Sequence, residues 1–266
     1  MKNERGRRPA GGLKDLLGSF IIAWSMYSRV PMPQIQWTKE RMRYTMCFFP
    51  LIGVLIGGLI GAFFYLSEGL GAGTLWTALT GTALPLFMTG GIHMDGFLDT
   101  TDARRSFLPK EKKLEILKDP HLGAFAVIYT FAYMLLYAGA SCEFAARAEE
   151  SARLLPVLFM TMERAFSGLS VVTFPQAKKQ GLAAGFGGAA KKRTDSLVLL
   201  LWMLICLVTG AAAARMGCRG AVVLAVVLLM THLAVFIWYY RMSVKQFGGV
   251  TGIWPDAFCR FANWPV

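Results

Sequence analysis

Residues 44–66 read YTMCFFPLIGVLIGGLIGAFFYL, an almost wholly apolar run that is long enough to cross a bilayer as a helix. Within it, Gly53, Gly57 and Gly61 recur at four-residue intervals. These glycines share one face of a helix, and another helix can pack closely against that face because it carries no side chains. The stretch therefore predicts a membrane helix that is built into a helical bundle.

Further apolar runs follow along the rest of the chain. Of its 266 residues 55% are hydrophobic, and the mean hydropathy is +0.47, which is above the usual range for a soluble domain. The predicted fold is an all-α polytopic integral membrane bundle of about six transmembrane helices embedded in the lipid bilayer. The expected spans are 44–66, 74–92, 122–141, 154–174, 196–214 and 221–240.

The segment before the first span is predicted to lie outside the bilayer core. Residues 1–12 are basic and glycine-rich, and we expect them to be disordered. Residues 13–27 contain too few apolar side chains to span, and Trp24 and Tyr27 suit an interface, so they predict a helix lying on the membrane surface. Residues 13–252 form one membrane-embedded domain in this interpretation.

The positive charges indicate the orientation. The net charge is +12, but the basic residues are spread between apolar runs, which does not favour nucleic-acid binding. With the expected spans, 23 of the 28 Lys and Arg residues lie on the same side as the N-terminus, and four lie on the other side. The asymmetry predicts that the N-terminus and residues 90–103 face the cytoplasm.

Three aspartates follow the second apolar run directly. The sequence of residues 90–103 is GGIHMDGFLDTTDA, which places Asp95, Asp99 and Asp102 at positions i, i+4 and i+7. A helix would bring the three carboxylates onto one face, where they repel each other unless they share a cation. The spacing favours a Mg²⁺ site, since Mg²⁺ binds carboxylates together with substrate phosphates. The alternative is a solvated helix face.

His93 precedes Asp95 by two residues, about 200° away on a helix. It shares the carboxylate face only if the helix begins between these two residues. In that case His93 is a candidate general base or phosphate contact, and otherwise it is a polar cap near the interface. Arg164, beside Glu163 in the fourth apolar run, is expected to reach a polar interior site because ionisable groups within membranes are rare and usually paired or functional.

Four stretches are expected on the cytoplasmic side: 90–103, 118–123, 174–186 and 246–252. Their glycines and lysines accompany the carboxylates on the same side of the membrane. Backbone N–H groups and cations balance the charge of phosphate groups. This combination predicts a substrate that carries phosphate.

Several motifs together resemble the cobalamin synthase (CobS) family, adenosylcobinamide-GDP ribazoletransferases, and they cover nearly the whole chain in order. The G-G-x-H-x-D-G-x-x-D-x-x-D pattern is the specific one. The motifs are SRVPMP (28–33), FFPLIG (48–53), GGIHMDGFLDTTDA (90–103), KDPHLGAF (118–125), FPQAKKQGL (174–182) and GGVTG (248–252).

The resemblance implies a Mg²⁺-dependent membrane enzyme for the last nucleotide-loop step of cobalamin biosynthesis. Such an enzyme joins adenosylcobinamide-GDP to α-ribazole, or to its 5′-phosphate, and releases GMP. Its active site is expected to face the cytoplasm, and a homo-oligomer is left open. We assign Asp95, Asp99 and Asp102 to metal and diphosphate binding and His93 to proton transfer or phosphate contact. The expected substrate-binding residues are Gly90, Gly91, Asp119, Arg164, Gly248, Gly249 and Thr251.

Two other classes of membrane protein share parts of this pattern. A small transporter is compatible with six spans and intramembrane charges, but no internal repeat is visible and the carboxylates cluster at one face. A CDP-alcohol phosphotransferase also has an aspartate-rich motif. That family expects Ala-Arg where this chain has Leu98 and Asp99, so the pattern does not match.

The tail departs from the family pattern. The family continues after GGxTG with Asp and then an apolar last helix, whereas residues 253–266 read IWPDAFCRFANWPV. With suitable synonymous codons, one inserted G changes this reading to DLAGCFLQVCELA, which restores the Asp and a Gly three residues later. We therefore hypothesise a frameshift after Gly252. Without a last helix and its Asp, the activity of this chain needs a direct test.

Overall fold

The computed structural model describes residues 12–147, 154–178, 181–215 and 221–250. Across these ranges the chain forms eleven α-helices and no β-strand. The helices are α1 Leu13–Tyr27, α2 Lys39–Met42, α3 Thr45–Gly69, α4 Thr74–Thr89, α5 Ile92–Arg105, α6 Lys110–Ile116, α7 Ala124–Arg147, α8 Leu155–Thr173, α9 Leu182–Ala189, α10 Lys192–Arg215 and α11 Ala221–Phe247. The predictions for residues 1–11 and for the tail fall outside the described residues.

Five of the described helices, α3, α7, α8, α10 and α11, are long and apolar enough to cross a membrane, which confirms the all-α membrane bundle. The expected second span, 74–92, is shorter than predicted. It breaks after Thr89, where Gly90 adopts a left-handed conformation with φ of 66°. The 16 residues of α4 measure about 24 Å, less than the ~30 Å hydrocarbon core. The sixth apolar helix is therefore a short one.

The helix predicted before the first span is present as α1. It buries Ser19, Ile22 and Ala23 and packs against α3, while Leu13 and Leu17 stay exposed. The proline-containing segment that follows, 28–38, is not helical, as its two prolines require. One backbone bond, from Arg29 N–H to Met88 O at 2.7 Å, ties this segment to the end of α4. That contact holds it beside the start of α5.

Helix α8 lies at the centre of the bundle, packed against α3, α10 and α11. The glycine face predicted on α3 is the surface that meets it. A Cβ atom at Gly53 would lie 2.3 Å from Met160 O, and one at Gly57 would lie 2.4 Å from Pro156 O. Because neither position tolerates a side chain, the two backbones approach closely along this contact.

The loops that the charge pattern assigned to one side of the membrane lie at one end of the bundle. Cys47, near the start of α3, donates a hydrogen bond to Asp195 near the start of α10, with Sγ and Oδ1 3.2 Å apart. After the opposite ends of α11 and α8, Val250 N–H donates to Pro175 O at 2.8 Å. The starts of two spans and the ends of two others therefore gather at the same end.

Candidate active site

Two left-handed glycines separate α4 from the aspartate-bearing helix. Gly90 and Gly91 have φ angles of 66° and 79°, a conformation that L-residues with side chains rarely adopt. A Cβ atom at Gly90 would also lie 2.7 Å from Nε of Arg29. The two predicted glycines thus shape the backbone turn at which α5 begins, and the first hydrogen bond of that helix runs from Asp95 N–H to Gly91 O at 2.9 Å.

The predicted carboxylate face exists. Because α5 runs unbroken over Ile92–Arg105, Asp95, Asp99 and Asp102 project from one side of it. Asp95 is exposed and the other two are half-buried. Burial raises the pKa of Asp99 to about 6, and repulsion by Asp95 and Asp102 adds to the rise. A cation shared by these groups would relieve that repulsion.

Asp102 makes contacts that the sequence did not reveal. Its carboxylate accepts hydrogen bonds from the backbone N–H of Gly123 and from that of Ala126, the latter at 2.9 Å from Oδ1. These donors belong to the first turn of α7, where backbone N–H groups lack partners within the helix. Asp102 therefore caps α7 and joins the aspartate motif to the KDPHLG stretch, so it positions the site as well as lining it.

His93 points away from the carboxylate face. Helix α5 begins at Ile92, before the histidine, so the condition for His93 to share that face is not met. Its ring is 2% exposed, and it stacks on Tyr27 with centroids 6.1 Å apart and an interplanar angle of 4°. The Phe49 ring lies 6.3 Å away. The structure places His93 in an aromatic part of the core.

Asp119 lies in the loop before α7 and is exposed. Its Oδ1 accepts a hydrogen bond from the His121 backbone at 2.9 Å and lies 2.7 Å from His121 Nδ1. The backbone bond first, and then the bond to the ring, lowers the pKa of Asp119 below its usual value. Asp119 is therefore held as a carboxylate in the same short loop as Gly123, the partner of Asp102.

Gly248 and Gly249 end α11 and connect it to the loop after α8. Their φ angles are 80° and 147°, and a Cβ atom at Gly249 would lie 2.2 Å from Pro175 O. Next to them, Val250 pairs with both sides of Gln176, since Val250 N–H donates to Pro175 O and Ala177 N–H donates to Val250 O, each at 2.8 Å. Two of the four predicted stretches are thus joined directly. Thr251 lies outside the described residues.

Arg164 lies inside the bundle rather than on the loop surface. Its Nη1 atom is 2.5 Å from Oε2 of Glu163, and both side chains are almost completely buried. Nine residues of α8 separate Arg164 from the end of the helix at Thr173, which is about 14 Å along the axis. Arg164 is thus paired with Glu163 inside the bundle, and its role in substrate binding stays a prediction.

The family comparison agrees with the motif pattern. The family model described as cobalamin-5-phosphate synthase (CobS) matches residues 19–254. The chain belongs to this family. An adenosylcobinamide-GDP ribazoletransferase of Lachnoclostridium phytofermentans is 40% identical over 236 residues, covering 89% of this chain and 86% of the relative. Proteins of the same name from Desulfitobacterium hafniense and Carboxydothermus hydrogenoformans are 30% and 27% identical, with coverage of 87% and 89% of each chain. No solved structure matches significantly.

The CobS-family carboxylates fit a Mg²⁺ ion that is completed by substrate. Among the described residues, no three His, Cys, Asp or Glu side chains form a ready-made metal site. Mg²⁺ commonly takes only one or two protein carboxylates and fills its shell with water and phosphate oxygens. Asp95 and Asp99 would supply these two ligands, because the carboxylate oxygens of Asp102 both accept backbone hydrogen bonds.

Arg29 is a candidate substrate-binding residue to which the sequence analysis assigned no role. It belongs to the SRVPMP motif, it is exposed, and its guanidinium group lies against Gly90 at the start of α5. The motif resemblance marked the segment, but no local pattern showed which residue faces the site. The contact became visible only with α1 and α4 in place.

Proposed function

We propose that this chain is an adenosylcobinamide-GDP ribazoletransferase, which joins adenosylcobinamide-GDP to α-ribazole or its 5′-phosphate and releases GMP. The names of the relatives supply the substrates. The observation that carries the proposal for this chain is the carboxylate face of α5, which stands beside loops rich in glycine and lysine at one end of the bundle. That arrangement suits a diphosphate substrate.

The reaction is a phosphoryl transfer. A ribose hydroxyl oxygen of α-ribazole forms a bond to the phosphorus that carries cobinamide, the bond from this phosphorus to the GMP oxygen breaks, and the hydroxyl proton passes to a base or to water. Catalysis of this kind depends mainly on positioning and on neutralising charge. A bound Mg²⁺ would supply that neutralisation at the diphosphate.

The residues of the chain have separate tasks in this scheme. Asp95 and Asp99 would hold the metal, and Asp102 fixes the position of α5 relative to the start of α7. Because His93 lies in the aromatic core, the hydroxyl proton is expected to pass to water at the exposed end of the site. Gly248 and Gly249 shape the loop that borders the substrate.

We also propose that the site faces the bacterial cytoplasm. The end of the bundle that carries the carboxylates also carries most of the Lys and Arg residues, as expected for a cytoplasmic side. Labelling of a Ser106→Cys variant with a membrane-impermeant maleimide on intact spheroplasts would check this, because the introduced thiol is expected to react only after the membrane is opened. Labelling in intact spheroplasts would contradict the orientation.

The decisive assay uses the full chain, purified in detergent, with Mg²⁺, adenosylcobinamide-GDP and α-ribazole. Formation of GMP and cobalamin is expected from the wild type, and a large loss is expected in Asp95→Asn and Asp99→Asn. Asp15→Asn, on α1, is the matched control. A wild type that forms no GMP would contradict the function, and full activity in both site variants would contradict the assignment of the metal ligands.

A further inference from the structure

Lysine side chains surround the loops that join the ends of α8 and α11. We refer to Lys110, Lys113, Lys118 and Lys178 as the lysine cluster. Lys110 lies against the left-handed Gly248, where an added Cβ atom would be 2.0 Å from Nζ and 2.6 Å from Cε. The absence of a side chain at Gly248 is therefore what lets this ammonium group approach the loop.

Lys113 belongs to the same group and is fixed in place. It is 7% exposed, and its Nζ atom donates a hydrogen bond to Oε1 of Gln246, just before Gly248. Burial lowers the pKa of Lys113, and the nearby Arg104 lowers it further. A positive charge is thus held close to the loop together with other positive charges.

Lys118 and Lys178 complete the cluster. Lys118 lies just after the end of α6, and Lys178 lies two residues after Gln176, which is bridged to Val250 next to Gly249. The pKa of Lys178 is lowered first by burial and then by the charge of Lys118. Two separate segments of the chain therefore bring their cations to the loop that follows α11.

No carboxylate lies within salt-bridge distance of the lysine cluster in the part of the chain that the structure describes. There, none of its four lysines forms an ion pair, whereas the neighbouring Lys112 pairs with Glu115 at 3.0 Å. Holding cations together without counter-charges is unfavourable in the absence of a bound anion. The arrangement indicates an anionic ligand with more than one charged oxygen.

The cluster also adjoins the carboxylate face. Lys118 directly precedes the loop 119–123, whose last residue, Gly123, is hydrogen-bonded to Asp102. Helix α6, which carries Lys110 and Lys113, also packs against both α5 and α11. These two lysines of the cluster therefore lie on an element that contacts the aspartate helix. The two charge types would act on different phosphates of one substrate.

We propose that Lys110, Lys118 and Lys178 bind the phosphate on the guanosine side of the substrate, the one that departs with GMP, and that Lys113 positions the loop through Gln246. The inference rests on the proposed function and adds to it the residues that bind the leaving phosphate. Cations at this phosphate stabilise the negative charge that develops on the leaving oxygen as its bond to phosphorus breaks.

The test compares Lys110→Gln, Lys118→Gln and Lys178→Gln with the control Lys112→Gln, which lies on the same short helix and is paired with Glu115. Each cluster variant is expected to raise KM for adenosylcobinamide-GDP about tenfold, as for the loss of a charge-assisted hydrogen bond. It should also lower kcat, because the same cations stabilise the leaving oxygen in the transition state. KM for α-ribazole should not change. Lys→Arg at each position should restore most of the affinity, which a merely structural role would not predict in all three.

A second measurement is the binding of GDP in the absence of α-ribazole. Calorimetry monitors this binding, with the protein in nanodiscs of neutral lipid. The three variants are expected to bind GDP about tenfold more weakly than the wild type. Variants that match Lys112→Gln in both assays would overturn the inference while leaving the ribazoletransferase function intact. An effect seen only with anionic lipid would assign the cluster to lipid headgroups and would also overturn it. A wild type that binds GDP but forms no GMP would count against the proposed function instead.

Discussion

The carboxylate of Asp102 accepts a hydrogen bond from the backbone N–H of Gly123, and this contact joins the aspartate helix α5 to the first turn of α7. The same side chain reaches Ala126 N–H at 2.9 Å. One aspartate of the motif thus serves as the cap of a membrane-spanning helix. The position of the α5 carboxylates relative to α7 depends on that attachment.

Replacing either partner of this contact should destabilise the protein. Asp102→Ala removes both acceptors from the start of α7, and we expect a loss of about 1–2 kcal/mol, as for other helix caps. Gly123→Ala should have a similar effect because its Cβ atom would lie 2.4 Å from Oδ2 of Asp102. Thermal unfolding in detergent measures both. Gly139→Ala on α7 is the control, since nothing lies within 4 Å of its added Cβ atom, and equal stability of all variants would argue against the cap.

The contact between α3 and α8 predicts opposite effects for neighbouring glycines. Gly53→Ala and Gly57→Ala force the two backbones apart, and each is expected to lower the free energy of unfolding by about 1–3 kcal/mol. Gly58→Ala meets no atom within 4 Å and should be neutral or stabilising by up to about 1 kcal/mol. Chemical unfolding in mixed micelles would rank the three variants. A Gly58→Ala variant as unstable as the others would contradict the packing.

The pairing between the last loop and the loop after α8 should matter more for activity than for stability. Gly249→Ala places a Cβ atom 2.2 Å from Pro175 O in a left-handed backbone, which displaces Val250. We expect GMP release to fall about 10-fold to 100-fold, because small displacements of positioning groups slow catalysis strongly. The melting temperature should move less, since the membrane helices keep their contacts. Gly188→Ala, whose Cβ atom meets nothing within 4 Å, should retain full activity.

The hydrogen bond from Cys47 to Asp195 predicts different effects for two substitutions at one site. Both side chains are buried, and Sγ lies 3.2 Å from Oδ1. Cys47→Ser keeps a donor, whereas Cys47→Ala leaves the carboxyl group without it, so Ala should be less stable than Ser by about 1 kcal/mol. Thermal melts of the two variants test this. A Cys47→Ala variant as stable as Cys47→Ser would show that this hydrogen bond does not contribute to stability.

Mg²⁺ should stabilise the folded protein through Asp95 and Asp99. A ligand present at a hundred times its dissociation constant adds about 2.7 kcal/mol to the free energy of unfolding. We therefore expect a higher melting temperature in Mg²⁺ than in EDTA for the wild type, and no difference for Asp95→Asn or Asp99→Asn. A Mg²⁺ shift that persists in both variants would place the metal elsewhere.

Features that repeat along the chain could be predicted from the sequence. Hydropathy located the spans, the period of the helix placed Asp95, Asp99 and Asp102 on one face, and the interfacial composition of 13–27 gave the bounds of α1. The glycines at 53 and 57 identified the face of α3 that packs against α8. Each of these features depends on residues that lie within a few helical turns of each other in the sequence.

Contacts between distant segments could not be predicted in this way. The bonds from Asp102 to the start of α7 and from Val250 to the loop after α8 join segments whose separation in the sequence carries no local pattern. Whether His93 shares the carboxylate face depends on where α5 begins. A shift of this start by less than one turn changes the answer, and the sequence does not fix it so closely. The length of α4 depended on Gly90, which hydropathy averages treat as part of the apolar run.

The backbone pairing of Val250 with Pro175 and Ala177 also sets an order of events during synthesis. Helix α8 and the loop after it are synthesised before Val250. This loop therefore lacks its partner while α10 and α11 are inserted into the membrane. A nascent chain released early would have the central helices but not the completed loop pair. The pairing between these two loops can therefore form only after α11 has been synthesised.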